Sequence, residues 1–190
     1  MLRQCLGFVF GLLLAASVLA VEAHPLVLDE DGIEADYRAG VYTASLSLRV
    51  AVAPSIALDV LTDFEHMPDF VANLTGSRIV SRNGNVFHIA QQGKATFGPF
   101  AFPFESVRRV EVLPDGRILA RALSGSSKHM RSELRYQADC GGTRIDYRLE
   151  VVPDRWVPSS VGVAFLRHEL AEQFSGLAYE MVRRQKSRQK

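Results

Sequence analysis

The chain has 190 residues, with 22 Lys or Arg against 21 Asp or Glu, a net charge of +1 and 47% hydrophobic residues. So even a charge balance provides no positive field for general nucleic-acid binding, and so apolar a composition excludes wholesale disorder. The length suits one domain, able to bury roughly 68–70% of its unfolded surface without covalent staples.

Residues 1–23 read as a targeting segment. Arg3 supplies one positive charge, the stretch from Cys5 to Val21 carries none, and it ends on Val21-Glu22-Ala23. A basic start, an apolar run and a small-residue end form the pattern of a secretory signal peptide, cut here before His24. An uncleaved membrane anchor is the alternative, but the run is short for a span and is diluted by Gly7, Gly11 and alanines. Cys5 precedes the apolar run, so it is not a lipid attachment site. The expected mature chain keeps Cys140 as its single thiol and forms no internal disulfide. A lone cysteine in an oxidising compartment is expected to be a small buried residue, and export to a bacterial periplasm fits this reading.

Residues 24–40 form an acidic lead-in, with Asp29, Glu30, Asp31, Glu34 and Asp36, expected to be solvated. Tyr42, Ala44, Leu46, Leu48, Val50 and Val52 then alternate with polar residues, which predicts a half-buried strand. Pro54 closes it and opens a helix carrying Ile56, Ala57, Val60, Leu61 and Phe64 at helical spacing. A second short helical piece is expected after Pro68, around Asp69–Asn73.

Strand signals dominate the next eighty or so residues. Arg78–Arg82 and Val86–Gln92 flank the turn residues Asn83-Gly84-Asn85, and Phe100–Val112 meets Arg117–Leu123 at Pro114-Asp115-Gly116. Met130–Ala138 and Thr143–Val152 follow, and chain order makes these strands consecutive antiparallel neighbours. After Trp156-Val157-Pro158, residues Val163, Leu166, Leu170, Phe174, Leu177 and Met181 recur at intervals of three and four, with Ser159 or Ser160 as the cap. A single sheet must bury its apolar face, and this final helix is the element long enough to cover it.

Leu61-Thr62-Asp63-Phe64-Glu65-His66-Met67-Pro68-Asp69-Phe70-Val71, with Ser77-Arg78-Ile79-Val80 after it, resembles the polyketide cyclase/dehydrase and coenzyme-Q-binding branch of the START-like (SRPBCC) superfamily. Gly142-Thr143-Arg144-Ile145-Asp146-Tyr147 and the Glu180-Met181-Val182-Arg183-Arg184 helix end fit the same pattern, so the resemblance spans about residues 42–184. It implies an α+β helix-grip fold: a curved antiparallel sheet wrapped around a long C-terminal helix, with two short helices after the first strand. The expected organisation is a signal peptide (1–23), the acidic lead-in (24–40), a START-like domain (41–184) and a basic tail (185–190). Members bind lipids, quinones or polyketides in a hydrophobic tunnel, and some are enzymes.

Four phenylalanines fall within Phe97-Gly98-Pro99-Phe100-Ala101-Phe102-Pro103-Phe104. Core packing alone accounts for aromatics on a strand face, but their density here marks Phe97, Phe100, Phe102 and Phe104 as candidate tunnel walls, with Phe64, Phe70, Leu166 and Phe174. His66-Met67-Pro68-Asp69-Phe70 lies between helical pieces, where Met67 and Phe70 form either a gate or a plug. Trp156 either anchors its loop in the core or dips into a membrane surface.

Catalytic signals are poor, and no catalytic residue is assigned. His168-Glu169-Leu170-Ala171-Glu172 lacks the second histidine of a zinc-protease helix, the five histidines show no metal spacing, and no glycine-rich phosphate loop occurs. Cys140 has no neighbouring histidine. His88, Gln92, Arg121, Glu133 and Tyr147 are polar positions on apolar strands that would orient a substrate if they faced inward; a solvated face is the plainer reading of each. Arg183, Arg184, Lys186, Arg188 and Lys190 make the helix end basic, which suits its dipole and would also draw it to anionic lipid.

The sequence therefore predicts an exported carrier of a hydrophobic small molecule, with transient membrane-surface contact and neither cofactor, metal nor nucleic acid. A cyclase or dehydratase acting on a polyketide-like chain is the runner-up, and a domain that binds a protein in the same groove stands third.

Overall fold

The computed structural model describes residues 28–190 except 98, 99 and 156; at Phe97 and Phe100 it describes the backbone alone. The expected signal peptide and Trp156 lie outside the described residues.

In the described chain a 3-10 turn (Glu30–Gly32) leads into β1 (Glu34–Arg38) and β2 (Val41–Val50). Helix α1 (Pro54–Leu61) and a second 3-10 turn (Phe64–Asp69) follow. Then come β3 (Leu74–Asn83), β4 (Val86–Phe97), β5 (Phe100–Val112), β6 (Arg117–Gly125), β7 (Ser127–Asp139), β8 (Gly142–Pro153) and α2 (Ser159–Arg188). The strands form one antiparallel sheet in the order β1-β2-β8-β7-β6-β5-β4-β3. Consecutive strands pair from β3 to β8, as the chain order predicts. The two helical pieces carry the chain from β2 to the far edge at β3.

The acidic lead-in does more than its composition foretells. Its carboxylates are exposed, but Ile33 is buried to 1% in the core, and residues 34–38 add an edge strand to β2. Leu28 N donates to Ser175 Oγ at 2.8 Å, and Glu30 Oε1 bonds His168 Nδ1 at 2.9 Å, so this segment also straps the outer side of α2.

Pro68 sits inside the 3-10 turn rather than ahead of a helix, and Asp69–Asn73 is not helical beyond Asp69. A short turn of this kind tolerates a residue without an N–H. Neither expected serine caps α2: Pro158 occupies the cap position with an extended backbone, and its carbonyl accepts from Gly162 N at 2.9 Å. The ladder thus starts one residue early, and Ser159 and Ser160 fall in the first turn.

Alternation makes β2 a strand with one buried face, and the register carries that face across the sheet. Leu46, Tyr147 and Leu134 stand opposite one another, as do Leu48, Ile145 and Tyr136. The main core lies between this face and α2 from Leu170 onward, where Leu170, Phe174, Leu177, Ala178 and Met181 are buried with Ile56, Val60 and Leu61 of α1. Cys140, expected to be buried, is exposed at the β7–β8 turn in a left-handed conformation (φ 28°).

Candidate functional site

Helix α2 grips the sheet unequally. Its inward face is buried from Glu169 to Met181, whereas Val163, Ala164, Leu166 and Arg167 nearer its start are only half-buried. The inner-face residues of the sheet show the same gradient. Ile89, Val110, Ile118 and Ile145 are buried, while Tyr147, Leu149, Ser132, Ala120 and Arg108 keep partial exposure; Tyr42, Ala44 and Gln91 beside them are buried, so the uncovered surface is a narrow one. Inward-facing side chains that are not fully covered line an opening between the sheet and the first half of the helix.

The β4–β5 hairpin overhangs this opening. Pairing of β5 with β6 ends at Ser106 and Gly125, so residues 100–105 have β4 as their one strand neighbour. That explains Pro103 within a thirteen-residue strand, since a ring without an N–H is tolerated on a free edge. Phe102, 47% exposed, meets Phe165 of α2 edge-on with ring centroids 5.8 Å apart. Phe104 lies inside, over Gly93: a Cβ there would come within 2.6 Å of the Phe104 ring and would also strike the Asn73 carbonyl. Glycine is what lets the ring lie flat on the strand.

The other expected wall residues divide by depth. Phe174 is buried against Tyr147, centroids 4.9 Å apart, where the closed core meets the open half, and Leu166 is half-buried above it. Met67 is half-buried, its Sδ accepting from Gln91 Nε2 at 3.5 Å. Phe70 is half-buried beneath the Arg184 guanidinium, 5.8 Å from the ring centroid. Phe64 is 3% exposed and packs edge-on to Phe87 at 5.2 Å, deep in the closed core; it is a plug rather than a tunnel wall. The side chains of Phe97 and Phe100 lie outside the described residues.

A polar band crosses the inner face at the open half. Burial lowers the pKa of Arg108, with the Tyr147 phenol as its charged-state neighbour, and its Nε has no hydrogen-bond partner. Burial raises the pKa of Tyr147, while a hydrogen bond with Ser132 and the Arg108 charge work the other way. Gln91, 3% exposed, donates to Ser77 Oγ at 3.1 Å, but its Oε1 has no partner. Gln91 stands opposite Ser106 on β5, a diagonal neighbour of Arg108 on the same face. The register shift between Val107 and Arg108, with Leu123 as the extra residue on β6, sits beside this position. Bulges often re-aim a side chain next to a site. From the helix side, Arg167 lies on the stripe of Leu170 and Phe174, and its Nε is likewise buried without a partner.

Of the five polar strand positions singled out from sequence, Tyr147 alone turns inward. Arg121 and Glu133 lie on the outer face, beside an Arg131–Glu150 pair at 2.7 Å. Gln92 is exposed, and His88 bonds Ser81 Oγ at 2.9 Å. Arg108, Gln91, Ser132 and Arg167 were missed. The signal for Arg108 was its parity with Val110 and Val112, hidden by the adjacent Arg109.

The 3-10 turn at Phe64–Asp69 is tied to α2 by charge. Arg184 bonds both Asp63 Oδ2 and Glu180 Oε1 at 2.6 Å, and His66 Nδ1 bonds Asp63 Oδ1 at 2.7 Å. The hydrogen bond that His66 donates to Asp63 raises the pKa of His66; for Asp63, burial opposes the His66 and Arg184 contacts, which together lower it. Asn73 Nδ2 donates to the buried Glu169, whose pKa burial raises. Among the described residues no three or more His, Cys, Asp or Glu side chains gather as for a metal ion.

A curved antiparallel sheet holding a long C-terminal helix is the START-like, helix-grip fold. Residues 42–182 match the family described as polyketide cyclase / dehydrase and lipid transport, and the chain belongs to that family. No curated protein sequence matches it. Solved structures similar to it include the Zhui aromatase/cyclase from Streptomyces sp. R1128, at 13% identity and TM-score 0.64 over 79% of this chain and 96% of that one. A STAR-related lipid transfer protein from Xanthomonas axonopodis gives 13% identity and TM-score 0.59 over 80% and 99%. Human STARD10 gives 15% and 0.64 over 85% and 77%. At these identities the likeness is one of fold.

Proposed function

We propose that the protein is an exported carrier that holds a hydrophobic small molecule between the inner face of the sheet and the first half of α2. The ligand class is a lipid, an isoprenoid quinone or a polyketide-like chain. The observation that carries this reading is the unequal grip of α2, which leaves Leu149, Ala120, Phe104 and Leu166 incompletely covered beside a core closed around Phe174, Leu177 and Met181. The likeness to a lipid transfer protein and an aromatase/cyclase supports the ligand class through the shared fold. Weak attraction of Lys186, Arg188 and Lys190 to an anionic membrane surface would aid delivery.

Gentle native mass spectrometry of protein purified from its own host's envelope, followed by lipid extraction, tests the carrier. A stoichiometric apolar adduct is expected. Protein that is repeatedly empty counts against it.

The inward Arg108 and Tyr147 favour a second reading, a cyclase or dehydratase in which this pair holds and polarises a carbonyl of the bound chain. Turnover of a supplied polyketide-like chain, lost in Tyr147→Phe, is the result that would select it.

A further inference from the structure

The apolar opening ends on a half-buried arginine whose inward Nε the protein leaves without a partner. Arg108 Nε has no hydrogen-bond partner, and its inner-face surroundings are neutral: Tyr147, Ser132, Gln91 and Ser106. Among the described residues, no strand places Asp or Glu at an inward position in register with the buried face. Of the two buried carboxylates of α2, Glu180 is held by Arg183 and Arg184, while Glu169 bonds Asn73 through Oε2 and keeps its Oε1 without a partner. A buried charge without a counterion is costly, and proteins normally pair it. Arg167 adds a second buried Nε without a partner from the opposite wall.

Resting on the carrier reading above, we infer that the ligand is an amphiphile with a monoanionic oxyacid head group, which enters head first and is bound by the Arg108 guanidinium with the Tyr147 hydroxyl beside it. A planar guanidinium donates to two oxygens of a carboxylate or a phosphodiester at once, and a phenol adds one more donor. The alkyl chain then runs back past Leu149 and Leu166 toward Phe104 and Phe102 at the rim. One-tailed fatty acids and phosphodiester lipids share this head chemistry, and the experiment separates them.

The test is displacement of the neutral apolar dye N-phenyl-1-naphthylamine from the full chain by three ligands of equal tail: palmitate, 1-palmitoyl-lysophosphatidylglycerol and uncharged 1-hexadecanol. At least one anionic ligand is expected to compete about thirtyfold or more better than the alcohol, the scale of a buried charge losing its partner; the better of the two identifies the head group. In Arg108→Met the ratio should fall toward one, and Arg108→Lys should restore part of it. Equal competition by all three in the wild type overturns the head-group inference and leaves the carrier standing. Failure of every ligand to displace the dye, or of the dye to bind, overturns both. Should Arg108→Met not fold, Tyr147→Phe is the second variant, and an unchanged anion-to-alcohol ratio there removes the phenol from the site.

Discussion

Phenylalanine packs the core of this chain at Phe174 and, on the carrier reading proposed above, would hold the ligand at Phe102. Phe174, 1% exposed, is a core residue, and Phe174→Ala should cost about 3–5 kcal/mol in urea unfolding. Phe102 stands at the rim, so Phe102→Ala should cost less than about 1 kcal/mol while weakening retention of an apolar dye. The paired measurement checks the division of the aromatic cluster. Alternation put Phe102 and Phe104 on one strand face, but depth depends on where β6 ends, a tertiary fact absent from the Phe-rich segment itself. Arg108 was illegible for a related reason: with Arg109 beside it, no local pattern says which arginine turns inward. Phe64 shows the converse: expected on the helix opened by Pro54, it lies beyond that helix's end at Leu61 and is buried at the start of the 3-10 turn, where its neighbours close the core rather than open it.

Between elements, close packing and charge join the 3-10 turn to α2. Gly176 lets the helix backbone press against the Phe70 carbonyl, where any Cβ would collide, and Arg184 bridges Asp63 and Glu180 above it. Asp63→Ala is therefore expected to speed amide hydrogen exchange across residues 62–72 while leaving β7 and β8 protected. The same pair sets a pH dependence. The pKa of His66 is raised in the folded protein, so its contribution to stability is complete below about 6.5, the ordinary histidine value, and is lost as pH rises through the higher folded value. NMR titration should place His66 above that ordinary value, and Asp63→Asn should return it toward the usual range. The elements themselves were largely readable from the sequence, because alternation and three-four spacing persist over long segments. Strand β1 was not: it is short, acidic and an edge, and what fixes it is pairing with β2 together with one buried residue, Ile33.

At the scale of the molecule, occupancy should register as stability. A ligand that binds the folded state at a hundredfold excess over its Kd adds about 2.7 kcal/mol, which for a domain of this size is a rise of roughly 5–10 °C in Tm. Differential scanning calorimetry with and without palmitate checks this directly. The basic end of α2 is more engaged than its composition implied, since Arg188 pairs with Asp59 at 2.7 Å and Gln185 accepts from Ala53 N at 3.2 Å. Deleting residues 185–190 should accordingly lower Tm slightly as well as weaken binding to anionic vesicles at low salt; an unchanged vesicle affinity would leave only the structural role.

A helix packed tightly from Leu170 onward and only partly covered before it, held there by Glu30 at His168 and by the Tyr42 ring at Gly162, would respond mechanically as a restrained cantilever. The stretch from Ser159 to Phe174 is about 24 Å long, so a tilt of about 5° at the clamp swings the free end by about 2 Å. Such a deflection needs no unfolding and no hinge residue, only slight yielding around Leu177 and Ala178. The stiffness of those remote, fully buried contacts would then set how fast a chain slips in beneath Phe165, and substitutions there would change exchange rates without touching the bound molecule.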